Sequence, residues 1–408
     1  MKNERNSEKN QLENQLGIFE ETAPLRKVIM WGQPGVEAVL AQLLPKRISC
    51  FESEFNVPEA RNEFINAESL LKQEGAEIIL VKDLMVEMIK AENLAPRTNL
   101  ETLKKELKDR GHQFYEKYKD EDISKISVLD WIDPILEDEV KKYGETATIV
   151  MNDTLSLQSK LGLPLANVLY ARDQSNLLGK VWVWSNMVHD IRKEEVGLYK
   201  EVLDWAGIIK PSEITEIQIS DKGKFEGGDG IVHDGICYIG VGGRTNLRGI
   251  SQIAPAILAQ GTRLMVVYDG KRTRKEEPEM DAMHLDTFWM PCGKNKVVAC
   301  EAEMSRRRLI EISFDRDGKL NIDRKGNFLD YMKSTGMEIV PLTKYEQLHY
   351  APNFVNINDN KVILSLSDKN GLTEELGTAG MECPCANLTE ITKGYGGLHC
   401  MTSVIKRG

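Results

Sequence analysis

Residues 215–268 read TEIQISDKGKFEGGDGIVHDGICYIGVGGRTNLRGISQIAPAILAQGTRLMVVY. The alternation over Thr215–Ser220 predicts a strand, and the apolar, β-branched run Gly230–Val241 predicts another. Leu247–Gln260 spaces its apolar residues as one face of a helix requires, and Arg263–Tyr268 returns to strand character. The order is β-β-α-β. A similar order closes the chain, where Phe354–Ile357, Lys361–Leu366 and a helix over Thr373–Gly380 lead into the segment holding Cys400. The two copies share pattern and not sequence. Such repetition predicts modules about a common axis, with a two-layer α/β domain as the alternative.

Working outward, Leu25–Trp31 reads as a strand, Pro58–Glu74 as an amphipathic helix and Ala76–Val81 as a second strand. From 82 to 145 the chain turns charged, with apolar residues at helical spacing, as in Leu100-Glu-Thr-Leu-Lys-Lys-Glu-Leu107. This predicts a helical insertion at 82–145 within a single catalytic domain, 1–408. Strands follow over Ala147–Met151, Asn167–Tyr170 and Lys180–Trp184, then a helix over Lys193–Trp205.

The 408 residues are 41% hydrophobic, enough for a sizeable core. Lys and Arg number 53 against 63 Asp and Glu, for a net charge of −10 with no long basic run, which argues against nucleic acid as a partner. The first 24 residues are polar and lack a signal peptide's apolar centre, and no apolar run is long enough to span a bilayer. A cytoplasmic location is the expectation. The seven cysteines are an odd set spread through a long chain, unlike a disulfide framework.

Four segments carry chemistry. Met283-His284-Leu285-Asp286-Thr287 sets His284 and Asp286 two apart, on one face if the segment is a strand; by itself it reads equally as surface residues around a buried Leu. In Phe225-Glu226-Gly227-Gly228-Asp229-Gly230 two carboxylates flank a glycine pair that admits close approach, although a solvated Gly-rich hairpin would look the same. Gly394-Tyr-Gly-Gly-Leu-His399-Cys400-Met-Thr402 puts a cysteine after a flexible turn beside a histidine, the exposure and nearby cation that a thiolate wants. A lone Cys is more often inert. Tyr170-Ala171-Arg172-Asp173 ends a strand-like run, with Arg192 and Arg244 in later turns. Cys383-Pro-Cys385 has the wrong spacing for a CxxC pair and reads as structural.

In this order, Ala171-Arg172-Asp173, Phe225-Glu-Gly-Gly-Asp229, Met283-His-Leu-Asp-Thr287 and Gly396-Gly-Leu-His-Cys400-Met-Thr402 resemble the ordered motifs of arginine deiminases. The resemblance spans nearly the whole chain, the helical insertion included. It implies the pentein fold, five ββαβ modules around a pseudo-fivefold axis with the active site in the central channel. It also implies roles: Cys400 as nucleophile, His284 as acid and base, Glu226 orienting that imidazole, and Asp173 with Asp286 pairing the guanidinium. Asn167, Arg192 and Arg244 would bind the amino-acid end of the substrate. Arg172 and Asp229 would be structural, and no metal or cofactor is implied.

Some residues depart from that family's pattern. No proline follows Cys400 closely, Tyr395 stands where an arginine is often found, and Tyr350-Ala-Pro-Asn-Phe354 differs from the usual Asn-rich, Gly-containing stretch. The leading expectation is hydrolysis of L-arginine to citrulline and ammonia; amidino transfer, or action on another guanidino compound, is the second. A non-catalytic arginine-binding protein is the third.

Overall fold

The computed structural model describes residues 16–96, 98–154, 162–269, 282–314, 319–366 and 371–408; the first part of the polar start, 1–15, lies outside them. Asp234 and Gly235 decide how the β-rich run at 230–241 folds. Both take positive φ, 50° and 68°, the backbone of a two-residue turn between antiparallel strands. The expected single strand is therefore a hairpin, Gly230–His233 with Ile236–Val241. The ββαβ unit begins at Gly230 and not at Thr215. Thr215–Gln218 instead pairs in parallel with Val181–Trp184, as the last strand of the preceding unit.

The strands in chain order are β1 (Leu25–Met30), β2 (Glu77–Leu80), β3 (Ser175–Leu178), β4 (Val181–Trp184), β5 (Thr215–Gln218), β6 (Gly230–His233), β7 (Ile236–Val241), β8 (Arg263–Asp269), β9 (Trp289–Pro291), β10 (Lys296–Ala299), β11 (Arg307–Phe314), β12 (Leu320–Asn327), β13 (Glu338–Pro341), β14 (Val355–Asn358), β15 (Lys361–Ile363) and β16 (Ser403–Arg407). They fall into five sheets among the described residues.

One connection recurs: an antiparallel pair, a helix, then a strand parallel to the second member. It joins β16, β1 and β2, then β3, β4 and β5, then β6, β7 and β8, then β9, β10 and β13. In the last sheet β14 and β15 pair antiparallel, and the chain returns after Leu372–Thr378 through parallel bridges Lys361 to Glu382 and Leu364 to Cys385. A parallel return needs a crossover, which the helices Val57–Gln73, Lys193–Trp205, Leu247–Ala259 and Phe328–Ser334 supply in the other four. The hairpin β11–β12 extends the third sheet beyond β8.

The stretch expected as an insertion is helical, with Val81–Ala91, Leu100–Tyr118 and Ile132–Tyr143. Side-chain caps start two of the helices: Asn56 accepts the amide of Glu59 at Val57–Gln73, and Asn99 that of Thr102 at Leu100–Tyr118. Leu103, Leu107, Ile135 and Leu136 join the insertion to the core that holds β1 and β16.

Two expected strands are absent. Ala147–Met151 lies inside the helix Thr146–Thr154, because a short apolar run does not distinguish a buried helix from a buried strand. Asn167–Tyr170 is a turn, closed by the Tyr170 amide on the Asn167 carbonyl. Among the described residues no helix is long and apolar enough to cross a membrane.

Candidate functional site

Each ββαβ unit is entered through a short segment just before its first strand, and polar residues collect at those entries. Asp173 sits in the turn Ala171–Gln174 before β3, and Glu226 just ahead of the 3-10 turn Gly227–Asp229 before β6. His284 caps and Asp286 lies within the 3-10 turn Leu285–Thr287 before β9, and Cys400 lies in Leu398–Met401 before β16. The His284 segment is thus not the expected strand. All five side chains are buried.

They fall into two contacting groups. His284 joins Glu226 (Nε2 to Oε2, 3.0 Å) on one side and faces Asp173 (Nδ1 to Oδ1, 3.6 Å) on the other. The Cys400 thiol lies 3.8 Å from Asp286 Oδ2. The glycine pair makes this approach possible. A Cβ on Gly228 would stand 2.7 Å from His284 Nδ1 and 3.1 Å from Asp286 Oδ1, and one on Gly227 would stand 1.9 Å from the Arg172 carbonyl oxygen. No side chain larger than hydrogen fits either place.

The residues expected at the amino-acid end lie against the acids. Arg192 donates to Asp173 Oδ2 (2.7 Å), to Glu195 Oε2 (3.1 Å) and to the Asn167 carbonyl (3.3 Å). Arg244 donates to Glu226 Oε2 (3.3 Å). Asn167 is pinned by Glu195, which accepts its amide, and donates its Nδ2 to the Ser49 carbonyl. Arg172 and Asp229 serve the scaffold: Arg172 donates to Asn176, and Asp229 Oδ1 accepts the amide of Leu285, fixing the loop that carries His284.

Charge sets the protonation states. Burial alone would lower the His284 pKa, but the charge of Asp173 and the hydrogen bond to Glu226 outweigh it and raise the imidazole to about 9. Burial works against ionised Glu226 too, yet Arg244 and His284 hold it well below the usual carboxylate range. Burial, then the charges of Asp286 and Asp173, push the Cys400 thiol well above its ordinary value. The cysteine is thus neither exposed nor served by its neighbour in sequence, as its local context suggested: His399 Nδ1 turns to Asp286 Oδ2 at 2.7 Å.

Among the buried atoms here without a hydrogen bond are Asp173 Oδ1 and Asp286 Oδ1, together with His284 Nδ1, which faces Asp173 Oδ1 at 3.6 Å. Unpartnered buried acceptors are costly. Two carboxylate oxygens of this kind suit a planar cation with several N–H donors, which would also compensate the charge that suppresses the thiolate. Single ligand atoms of Asp173, Glu226 and His284 lie within 4.8 Å of one another. Arg192 and Arg244 already sit on those two carboxylates, and their charges would oppose a metal cation there.

Sequence reading missed Asn353 and Glu195. Asn353 is fully buried in the entry to β14 and donates Nδ2 to the Cys400 sulfur at 3.1 Å. Its one legible signal is positional, since it occupies the place before a unit's first strand where the other site residues lie. None of the seven cysteines, all among the described residues, forms a disulfide, and Cys383 and Cys385 pack beside the second core cluster.

A family model described as arginine deiminase matches residues 50–407. The arginine deiminase of Limosilactobacillus reuteri is 22% identical over 93% of this chain and 95% of that protein. That of Streptococcus sanguinis is 20% identical over 96% and 98%. Among solved structures, a dimethylarginine dimethylaminohydrolase in adduct with S-methyl-L-thiocitrulline has a TM-score of 0.54 at 14% identity, covering 93% of this chain and 99% of that one. The substrate-bound N-terminal domain of ArgZ, an arginine dihydrolase from the ornithine-ammonia cycle in cyanobacteria, has a TM-score of 0.52 at 14% identity, covering 92% and 96%. At such identities the structural likeness speaks for the fold, an α/β architecture with pentein-fold neighbours.

Proposed function

The chain belongs to the arginine deiminase family, and from that premise we propose that it hydrolyses free L-arginine to L-citrulline and ammonia through a covalent amidino-cysteine intermediate. The observation that carries the reading is the pair of buried carboxylate oxygens, Asp173 Oδ1 and Asp286 Oδ1, that accept no hydrogen bond, with the Cys400 thiol 3.8 Å from the other Asp286 oxygen. The five repeated units are proposed to stand about one pseudo-fivefold axis, with these residues in the channel at its centre, in a cytoplasmic homo-oligomer.

In this reading Asp173 Oδ1 and Asp286 Oδ1 accept N–H bonds from the guanidinium and turn its carbon to Cys400. The arriving positive charge offsets the two acids that raise the thiol pKa, so the thiolate forms as substrate binds. The sulfur bonds to the guanidinium carbon. His284, protonated near neutral pH, gives its proton to one amino group, the C–N bond breaks and ammonia leaves. Neutral His284 then takes one proton from water as the oxygen adds to the carbon; the new hydroxyl gives its remaining proton to solvent as the C=O forms and the C–S bond breaks, citrulline leaves and the thiolate returns.

Glu226 holds the imidazole through both steps. Arg192 and Arg244, with Asn167, take the substrate's α-carboxylate and amino end, and Arg244 keeps Glu226 ionised. Incubation with L-arginine should yield citrulline and ammonia, with none from Cys400→Ala. Ornithine appearing only when an amine acceptor is supplied, or undiminished activity in Cys400→Ala, would contradict hydrolysis.

A further inference from the structure

Four of the five unit entries supply the residues already described: Asp173, Glu226, the pair His284 and Asp286, and Cys400. The fifth, ahead of β14, supplies Asn353. Its carboxamide is committed at both ends. Oδ1 accepts the amides of Gly397 (2.9 Å) and Cys400 (3.0 Å), and Nδ2 donates to Cys400 Sγ at 3.1 Å. Two N–H donors fix which end of the amide is oxygen, so the end facing sulfur is the donor. The backbone is tied as well: the Asn353 carbonyl accepts the Ser365 hydroxyl, whose oxygen in turn accepts the Leu398 amide. Gly397 completes the fit, since a Cβ there would stand 2.4 Å from Ser365 Oγ.

The charged side chains that act most strongly on this sulfur are the acids Asp286 and Asp173, which oppose a thiolate. A lysine or a protonated histidine against the sulfur would favour the anion but would repel a guanidinium. A carboxamide N–H favours the anion without adding charge, so it can face the nucleophile while leaving the site open to a cation.

We propose that Asn353 is a catalytic residue, whose Nδ2–H hydrogen bond holds and aims the Cys400 thiolate while Oδ1 fixes the 397–400 turn. The proposal rests on Cys400 being the nucleophile. The same bond serves twice, for the attacking sulfur and for the sulfur as it departs when water releases the product.

The test is the pH dependence of Cys400 alkylation by iodoacetamide, followed on the Cys400 peptide of the full chain by mass spectrometry, in wild type, Asn353→Ala and Asn353→Ser. Loss of a hydrogen bond to a charged group predicts about tenfold to hundredfold less thiolate at a given pH, so the alkylation midpoint moves up by one pH unit or more. Turnover (kcat/KM) falls in parallel. A purely structural Asn353 would lower the melting temperature and leave the midpoint in place, which overturns the proposal. Asn353→Ser, with an acceptor for the turn but a side chain too short to reach the sulfur, decides the question if Asn353→Ala does not fold. Alkylation needs no arginine, so a wild type that ignores arginine would undo the substrate assignment without touching this result.

Discussion

His284 is where sequence, burial and charge meet most sharply. The motif places it two residues from Asp286, which suggests a shared strand face, but the turn at Leu285–Thr287 is what aims it at Glu226 and Asp173. Its imidazole is raised to about 9 from an ordinary 6.5. A raised pKa means that the folded state prefers the charged form, so this stabilisation is complete below about pH 6.5 and is lost as pH climbs through about 9. The displacement corresponds to about 3 kcal/mol. Unfolding of wild type and His284→Asn, followed from pH 6 to pH 10, should show the wild type losing about that much relative to the variant. Asp229 is pushed up to about 7 by burial against the lowering charge of His284, so its titration differs between the two proteins and adds to the difference in the lower part of the range. A constant difference across the range would contradict the assignment. At this scale the acids, the histidine and the cysteine were legible because their motifs are local; Asn353 was not, because its meaning lies in a contact 47 residues away.

At the scale of elements, the hairpin β6–β7 shows how a strong local signal is overridden by a longer pattern. Asp234-Gly235 is a favoured turn pair, yet the β-rich run across it reads as one strand. Gly235 takes φ +68°, and a Cβ there would meet nothing within 4 Å. Gly235→Ala should therefore cost only the left-handed backbone, about 1 kcal/mol, in a denaturation midpoint, with arginine turnover unchanged. A much larger loss would mean that the turn is packed rather than exposed. The helices and their order were readable from apolar spacing. The helix at Thr146–Thr154 was not, because β-branched residues in a buried segment carry no periodicity that separates helix from strand.

At the scale of the whole molecule, the first and last segments share one sheet. β16 pairs with β1, directly after the turn that carries Cys400, so the C-terminal strand positions the nucleophile. Buried Glu21 and Arg407 lock that closure at 2.8 Å. Burial works against ionised Glu21, but Arg407 first, and then His399, depress it to about 2. A depressed carboxylate stabilises above its ordinary pKa of 4.5, and the contribution is lost as pH falls through about 2. Arg407→Ala takes the nearest cation from that buried charge and should cost roughly 3–5 kcal/mol near neutral pH, with the deficit shrinking as Glu21 is protonated. Equal stabilities at pH 7 would remove the closure from the account. The ββαβ repeat could be glimpsed in sequence from one clear unit and one copy. Its completion by a strand at the far end of the chain depends on pairing between segments with nothing in common but shape.

The central claim is that Cys400 bonds to the guanidinium carbon. Mixing the enzyme with L-arginine, quenching in acid and mass analysis should find an adduct of arginine less ammonia on the peptide containing Cys400, together with free citrulline. The bare Cys400 peptide at every time point while citrulline accumulates would contradict it.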